Sequence, residues 1–324
     1  MSARRKTYWH LGADRRLPSD YEIATTRLLY HVERGGLSVR PPGAEFQARH
    51  QGLSPLASDR WDGFADPRAT TYATYVALER DRESYTGRLL DSIETSDHDG
   101  KLAAAWVEEL GDILSPLRYL CHGLQMLAAQ VGHLAPGSRI AVALLFQCGD
   151  EIRRVQRLAY RLALLARRRP EIGPAGRALW QSGPLWQPAR RAIERLLVTY
   201  DWGEALIALN VVVKPVVDDL FLQRLAERAE AAGDHVDAQI LRALFEDCAW
   251  HRAWTEALTA FALRDRPENA DPIARWTEAW TPAAAEIARA GAELLGLEPP
   301  AAEAAPARVR PEVAAAARQA RANG

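Results

Sequence analysis

Most of the motifs that would announce a chemistry are missing from these 324 residues. No GxGxxG or GxxxxGK[ST] loop is present to cradle a phosphate, and no CxxC or HExxH to hold a metal. No GxSxG elbow carries a nucleophile. The three cysteines, Cys121, Cys148 and Cys248, are odd in number, widely spaced and set in apolar helical runs. They read as reduced, buried thiols of a cytoplasmic protein rather than a disulfide frame. A net charge of -1, from 41 basic and 42 acidic residues, leaves no electrostatic case for nucleic acid. No apolar run reaches membrane-spanning length, and the N-terminus has no signal-peptide core. No strand alternation and no repeat period stand out.

What is present is helical periodicity around a 48% hydrophobic composition, enough for a sizeable core. Ten tryptophans fit either a large core or an aromatic-rich partner surface. The fold class expected is all-α, in three parts. Residues 1–66 form an N-terminal arm with one helix, opened by a capping box at Ser19 and Glu22 and running to Gly35-Gly36. The prolines and irregular run from Leu37 to Asp66 suggest that the arm lies on a partner, anchored by Tyr8, Trp9 and Trp61; a long surface loop is the alternative. Residues 67–296 form the helical domain. The alanine-rich tail, 297–324, has the composition of a disordered segment.

Within the domain, Asp66-Pro67 suits a helix start, Ser138 and Asp234 suit caps, and Arg167 to Pro170 suits a helix end. Separate helices are expected over 101–114 and from Pro116, with further starts at Pro272 and Thr281-Pro282. Pro215 should kink a long helix over 202–232. The central stretch, Pro116 to Leu165, reads as an antiparallel helix pair turning at Ala135-Pro136-Gly137. The apolar seam of its second helix passes through Leu144, Cys148, Val155 and Leu158, and helical spacing puts Glu151 on that seam beside Arg154. A carboxylate in a helical core is expensive unless a cation meets it. There is also no Glu-x-x-His anywhere in the chain. That matters because a di-iron carboxylate bundle needs one such motif from each of two helices and a further Glu from each of the other two.

Six stretches nevertheless resemble one family. They are Trp9 to Ile23 (WHLGADRRLPSDYEI), Trp61 to Tyr75, Ser115 to Met126, Asp150 to Arg161, Asp201 to Pro215, and His251 to Trp254. The chain resembles the hydroxylase beta subunit of bacterial multicomponent di-iron monooxygenases, closest to the toluene, phenol and alkene four-component group. The resemblance implies a ferritin-like bundle with extra C-terminal helices and no metal or catalytic residue of its own. It implies alpha and gamma partners in a two-two-two assembly, an effector protein, a Rieske ferredoxin and an NADH reductase. The di-iron centre, and the O2-dependent hydroxylation or epoxidation of an aromatic or alkene substrate, would belong to alpha. Laid on this chain, the alpha ligand pattern falls on Cys121 (or its neighbour His122), Glu151, Arg154, Lys214, Cys248 and His251, vestigial positions at which only one carboxylate survives. The expected consequence is that Arg154 and Lys214 replace the metal charge and neutralise Glu151. The alternative is that these long cations snorkel to solvent and pair with Asp150 or Asp218. Two other functions stay open: a self-sufficient ferritin-like oxidase with an atypical ligand set, and a helical adaptor unrelated to oxygenases.

Overall fold

The computed structural model describes residues 19–26, 42–50 and 52–297. Tyr8, Trp9 and the tail from 298 lie outside the described residues. Helix α1 (Asp20–Thr25) has the expected capping box, Ser19 with Glu22, but ends at an extended Thr26. The remainder of its expected course lies outside the described residues. Helix α2 is Pro42–His50, in a stretch expected to be irregular.

Four long helical elements make the centre: α5 (Ala104–Leu134), α6 (Ser138–Arg168), α9 (202–231) and α10 (His235–Asp265). α5 and α6 form one antiparallel pair, α9 and α10 the other, each joined by a tight turn. The second turn uses Gly233 at φ 79°, where a side chain would be strained. The crossover between the pairs carries α7 (Gly176–Ser182) and α8 (Gln187–Leu197). Two hairpins joined by one long crossover are the ferritin-like arrangement that the resemblance implied. α3 (Tyr72–Thr95) packs on α10, the short α4 (His98–Lys101) follows it, and α11 (Ala270–Leu294) packs against α8 and α9. The long helices enclose one core, which runs from Leu56 and Phe64 through Leu110, Leu144 and Leu209 to Trp280.

Several local expectations need correcting. The helix after Asp66 starts at Tyr72, capped by Thr71. Asp66 instead folds its carboxylate back to accept from the backbone N–H groups of Arg68 and Thr70, a turn that competes with helix. Ser138 is the first helical residue rather than the cap, and its hydroxyl donates to the Thr25 carbonyl. Pro116 and Pro282 lie inside continuous helices, α5 and α11, and break neither. At Pro116 the propensity cost is overridden where both neighbours are buried in the packed bundle.

The expected partner arm is packed in part on its own chain. Asn269 bonds both the N–H and the C=O of Ala57, at 3.0 and 2.9 Å. Leu56 and Phe64 are buried, and Trp61 meets Trp202 edge-on at 5.3 Å and Phe261 at 6.1 Å. The half-buried Trp61 is therefore an internal anchor for residues 52–66.

α9 is not a uniform α-helix. Wide π turns occupy Ile207–Val213 and Asp219–Arg224, with α-helix at Lys214–Asp218 between them. The Lys214 N–H reaches back five residues to Leu209, and that of Leu225 back five to Leu220. A proline at 215 has no N–H and crowds the carbonyl four residues earlier. The wide turn before it accommodates that crowding, so the expected break is absorbed inside the helix.

Candidate functional site

The inward side of α6 carries the polar residues of the core, and the helix repeat lifts them through the bundle in levels. At mid-height, Glu151 is fully buried. Arg154 Nη1 donates to its Oε2 at 2.9 Å, and Lys214 Nζ lies 3.1 Å from its Oε1. The two cations also share a second carboxylate. Asp218 takes Lys214 Nζ at 2.6 Å and Arg154 Nη1 at 3.2 Å. None of the four side chains exceeds 3% exposure, so snorkelling is excluded, although the pairing with Asp218 that went with it is present. Two anions and two cations thus close a neutral quartet.

Electrostatics follow from that closure. Burial alone would discharge Lys214, but Asp218, Cys248 and Glu151 outweigh it and hold its pKa above the ordinary value. Burial likewise opposes the Arg154 charge and is overcome by Glu151, Cys248 and Asp218. Burial also opposes the Asp218 charge, yet Lys214 and Arg154 hold that carboxyl below the usual range. Arg154 Nη2 lies 3.1 Å from Cys248 Sγ. Burial pushes the thiols of Cys121 and Cys248 up to about 12, so both stay protonated and unreactive.

The expected ligand positions therefore divide. Glu151, Arg154, Lys214 and Cys248 meet, and Cys121 borders them. His251 turns to a neighbouring level, where its Nε2 lies 2.8 Å from Asp150 Oδ2 while Tyr75 donates to Asp150 Oδ1 at 2.8 Å. Beside that group, Arg153 and Arg82 bridge Glu79 and Asp247. Farther along α6, Arg161 joins Asp99 and Asp237. Sequence reasoning named Asp218 only as the partner of a snorkelling cation, not as a buried member of the site. Its spacing of four from Lys214 was the available signal.

The residues do not fit a di-iron centre. Iron needs several hard oxygen donors free to coordinate, whereas both carboxylates of the quartet are occupied by fixed cations that would repel it. Carboxylate oxygens of Glu79, Asp150 and Asp247 lie within 4.8 Å of one another. Two guanidinium groups and the Tyr75 hydroxyl already hold them.

His251 offers a pH test. Burial, reinforced by Lys214, pushes its imidazole down to about 3 from an ordinary 6.5. The neutral ring therefore donates from Nε2 to Asp150, and its buried Nδ1 has no hydrogen-bond partner. A depressed pKa gives stability that is complete above pH 6.5 and lost as pH falls toward 3, at up to about 1.4 kcal/mol per unit. Asp150, raised by burial to about 6, and Glu79, raised by burial to about 7, act oppositely and remove stability as pH rises through their range. His251→Gln keeps a donor for Asp150 and deletes the titration. The stability of the wild type relative to this variant is expected to decline below pH 6.5, read as the difference in Tm from pH 4 to 8. A difference independent of pH would overturn the assignment.

With this geometry in hand, comparison with known proteins is decisive. A family model described as Methane/Phenol/Alkene Hydroxylase matches residues 44–266. This chain belongs to that hydroxylase family. It is 33% identical over 296 residues to the hydroxylase component subunit beta of the toluene-4-monooxygenase system of Ectopseudomonas mendocina, covering 90% of each chain. It is 26% identical over 229 residues to the phenol 2-monooxygenase oxygenase component DmpL of Pseudomonas sp. CF600, covering 70% of this chain and 68% of that one. The structure of toluene 4-monooxygenase with toluene in its resting active site superposes with a TM-score of 0.81 at 33% identity, over 86% of this chain and 95% of that one. Phenol hydroxylase from Pseudomonas sp. OX1 shares the fold, with a TM-score of 0.80 at 19% identity over 94% and 91%. Among the described residues of this family member, no helix is long and apolar enough to cross a membrane.

Proposed function

We propose that this chain is the non-catalytic beta subunit of a multicomponent monooxygenase hydroxylase, a cytoplasmic complex that oxidises an aromatic or alkene substrate with O2 and electrons from NADH. The observation that carries the reading is the neutral quartet in a hydroxylase-family bundle. At the height where the resemblance places metal ligands, Arg154 and Lys214 neutralise Glu151 and Asp218. The iron then belongs to an alpha partner. This chain shapes and buttresses that partner's bundle within an assembly of alpha, beta and gamma subunits, served by an effector protein, a Rieske ferredoxin and a reductase. The resemblance supports the partner arm, with Tyr8 and Trp9 as anchors; Trp61 serves it from inside.

Elemental analysis of the folded chain prepared with and without its partners tests the reading. The expected result is essentially no iron in this chain and iron that follows the chain bearing two Glu-x-x-His motifs, together with activity only in the complex. Close to two irons per copy of the isolated chain would instead make it an oxidase in its own right.

A further inference from the structure

Tyr75 differs from other tyrosines of the chain in having a partner that can take its proton. Tyr21 accepts a backbone N–H from Asp66, and Tyr85 donates to the Gln239 amide. Tyr75 donates to the buried carboxylate of Asp150 at 2.8 Å, and the other oxygen of that carboxylate takes His251 Nε2 at 2.8 Å. The phenol is held closely. Its ring stacks on Phe146 at 4.6 Å with 14° between the planes. Gly149 leaves the room for its hydroxyl, since a Cβ there would lie 2.5 Å from the oxygen. One turn earlier on α3, Tyr72 is 72% exposed, and residues three apart on a helix are neighbours. On the inner side, Phe146 is followed at 6.3 Å by the buried Trp250, whose Nε1 donates to the Asp66 carboxylate at 3.0 Å. An aromatic path thus runs from solvent through Tyr72 and Tyr75 toward a buried indole.

Charge favours the loss of an electron at this point. Carboxylate oxygens of Glu79, Asp150 and Asp247 crowd within 4.8 Å of one another, and two guanidinium groups, Arg82 and Arg153, answer these three acids. Like charges nearby favour the neutral form of a carboxyl. A proton delivered to Asp150 therefore relieves the crowding. Burial acts in the same direction and raises the Asp150 pKa to about 6. A phenol that keeps its proton on oxidation leaves a cation in a dry interior, which is costly. One that sheds its proton to a neighbour leaves a neutral radical.

We propose that Tyr75 is a redox-active residue, the resting place of an oxidising equivalent that reaches this face of the chain as a small oxidising radical. The radical takes one electron and becomes its anion. The phenolic O–H bond of Tyr75 breaks, the proton crosses to Asp150 Oδ1, and a neutral tyrosyl radical remains facing a carboxylic acid. One electron from a reductant such as ascorbate, with return of the proton from Asp150, restores the phenol. In the complex proposed above, the site quenches radicals that stray from the O2 chemistry. That use rests on the subunit reading; the redox chemistry of Tyr75 does not.

The test begins with the full chain and azide radicals made by pulse radiolysis, which take one electron from tyrosine or tryptophan. Optical absorption and electron paramagnetic resonance follow the product. The expected result is a tyrosyl radical that survives at least tenfold longer than any formed in Tyr75→Phe, a variant that keeps the stack on Phe146. Tyr85→Phe, on the same helix, should leave that lifetime unchanged. Asp150→Asn keeps a hydrogen-bond acceptor but takes no proton, and should abolish the long-lived signal. Because that variant also disturbs a buried cluster, the wild type is measured again after exchange into deuterated water, where formation of the radical should slow. Equal lifetimes in the wild type and Tyr75→Phe, or equal rates of formation in light and heavy water, overturn the proposal. The use in the complex is read separately. Supplied with O2 and reductant but no substrate, the complex carrying Tyr75→Phe should lose activity faster than the wild type. Equal loss overturns the quenching role alone. A wild-type chain that restores no activity to an iron-bearing partner overturns the subunit reading and leaves the radiolysis result standing.

Discussion

Glu151→Ala is expected to cost about 3–5 kcal/mol of stability, because it leaves Arg154 and Lys214 sharing one carboxylate in a dry core. The fourth member, Asp218, sharpens the comparison with a double variant. Glu151→Leu combined with Arg154→Leu removes one anion and one cation together. The Lys214–Asp218 pair, at 2.6 Å, is then left balanced. Replacing a whole buried pair by apolar side chains of similar size can be nearly neutral, so the double variant should lose less than half of what the single variant loses. Urea unfolding followed by tryptophan fluorescence measures both, with ten tryptophans in the chain as reporters. Equal losses in the two variants, or negligible losses in both, would show that Glu151 is not held by compensation.

The second large effect is expected at the other end of α6. Arg161 is 2% exposed at its side chain and is the shared donor of two acids. Its Nη1 and Nη2 grip Asp99 at 2.8 and 2.6 Å, and its Nε meets both oxygens of Asp237 at 2.8 Å. These bonds tie α4 and the first turn of α10 to α6. Arg161→Leu should destabilise the chain by roughly 3–5 kcal/mol at neutral pH, since it strands buried carboxylates without a cation. The loss should also depend on pH. Burial raises the Asp237 pKa, and Arg161 is the main influence opposing that rise. Without Arg161 the carboxyl holds its proton more tightly in the folded state. A raised folded pKa gives stability that is present at low pH and lost as pH rises through it. Asp237 is already raised to about 8 in the wild type, so the deficit of the variant relative to wild type should be level below neutral pH and grow as pH rises through about 8. A deficit that stays constant or shrinks between pH 7 and 9 would show that Arg161 acts through packing rather than charge.

Much of this architecture is legible in the sequence. The seam of α6 identified Glu151 beside Arg154, because a three-residue step on a regular helix keeps two side chains on one face. The caps at Ser19 and Asp234 and the stop at Arg167 to Pro170 follow from backbone groups that need local partners. The departures come from contacts distant in sequence. The Asp66 carboxylate could cap a helix or close a turn, and which it does depends on Tyr21, whose hydroxyl takes the Asp66 N–H at 3.0 Å from a distant helix. Trp61 was read as an anchor for a partner because nothing near it in sequence could cover it; part of its cover comes from Trp202 and Phe261 within the chain. Asp218 was read as the partner of a cation reaching solvent because the buried set was taken from ligand positions carried over from a family, and it lies four residues beyond the last of them on α9.

The two wide turns of α9 have a consequence for reading frames. Each π turn holds roughly one residue more than the α-helix it interrupts, so each acts as an insertion that never left the helix. The five residues from Lys214 to Asp218 sit between two such offsets. Their angular position is fixed independently of the helix on either side, and heptad or three-four counting carried across 207–213 or 219–224 drifts by about a hundred degrees. A homologue with one residue fewer in either turn would present the same letters to a different wall of the bundle. Alignments of this region should therefore be anchored on the Lys214–Asp218 segment itself, with gaps admitted inside the helix rather than pushed out to its ends.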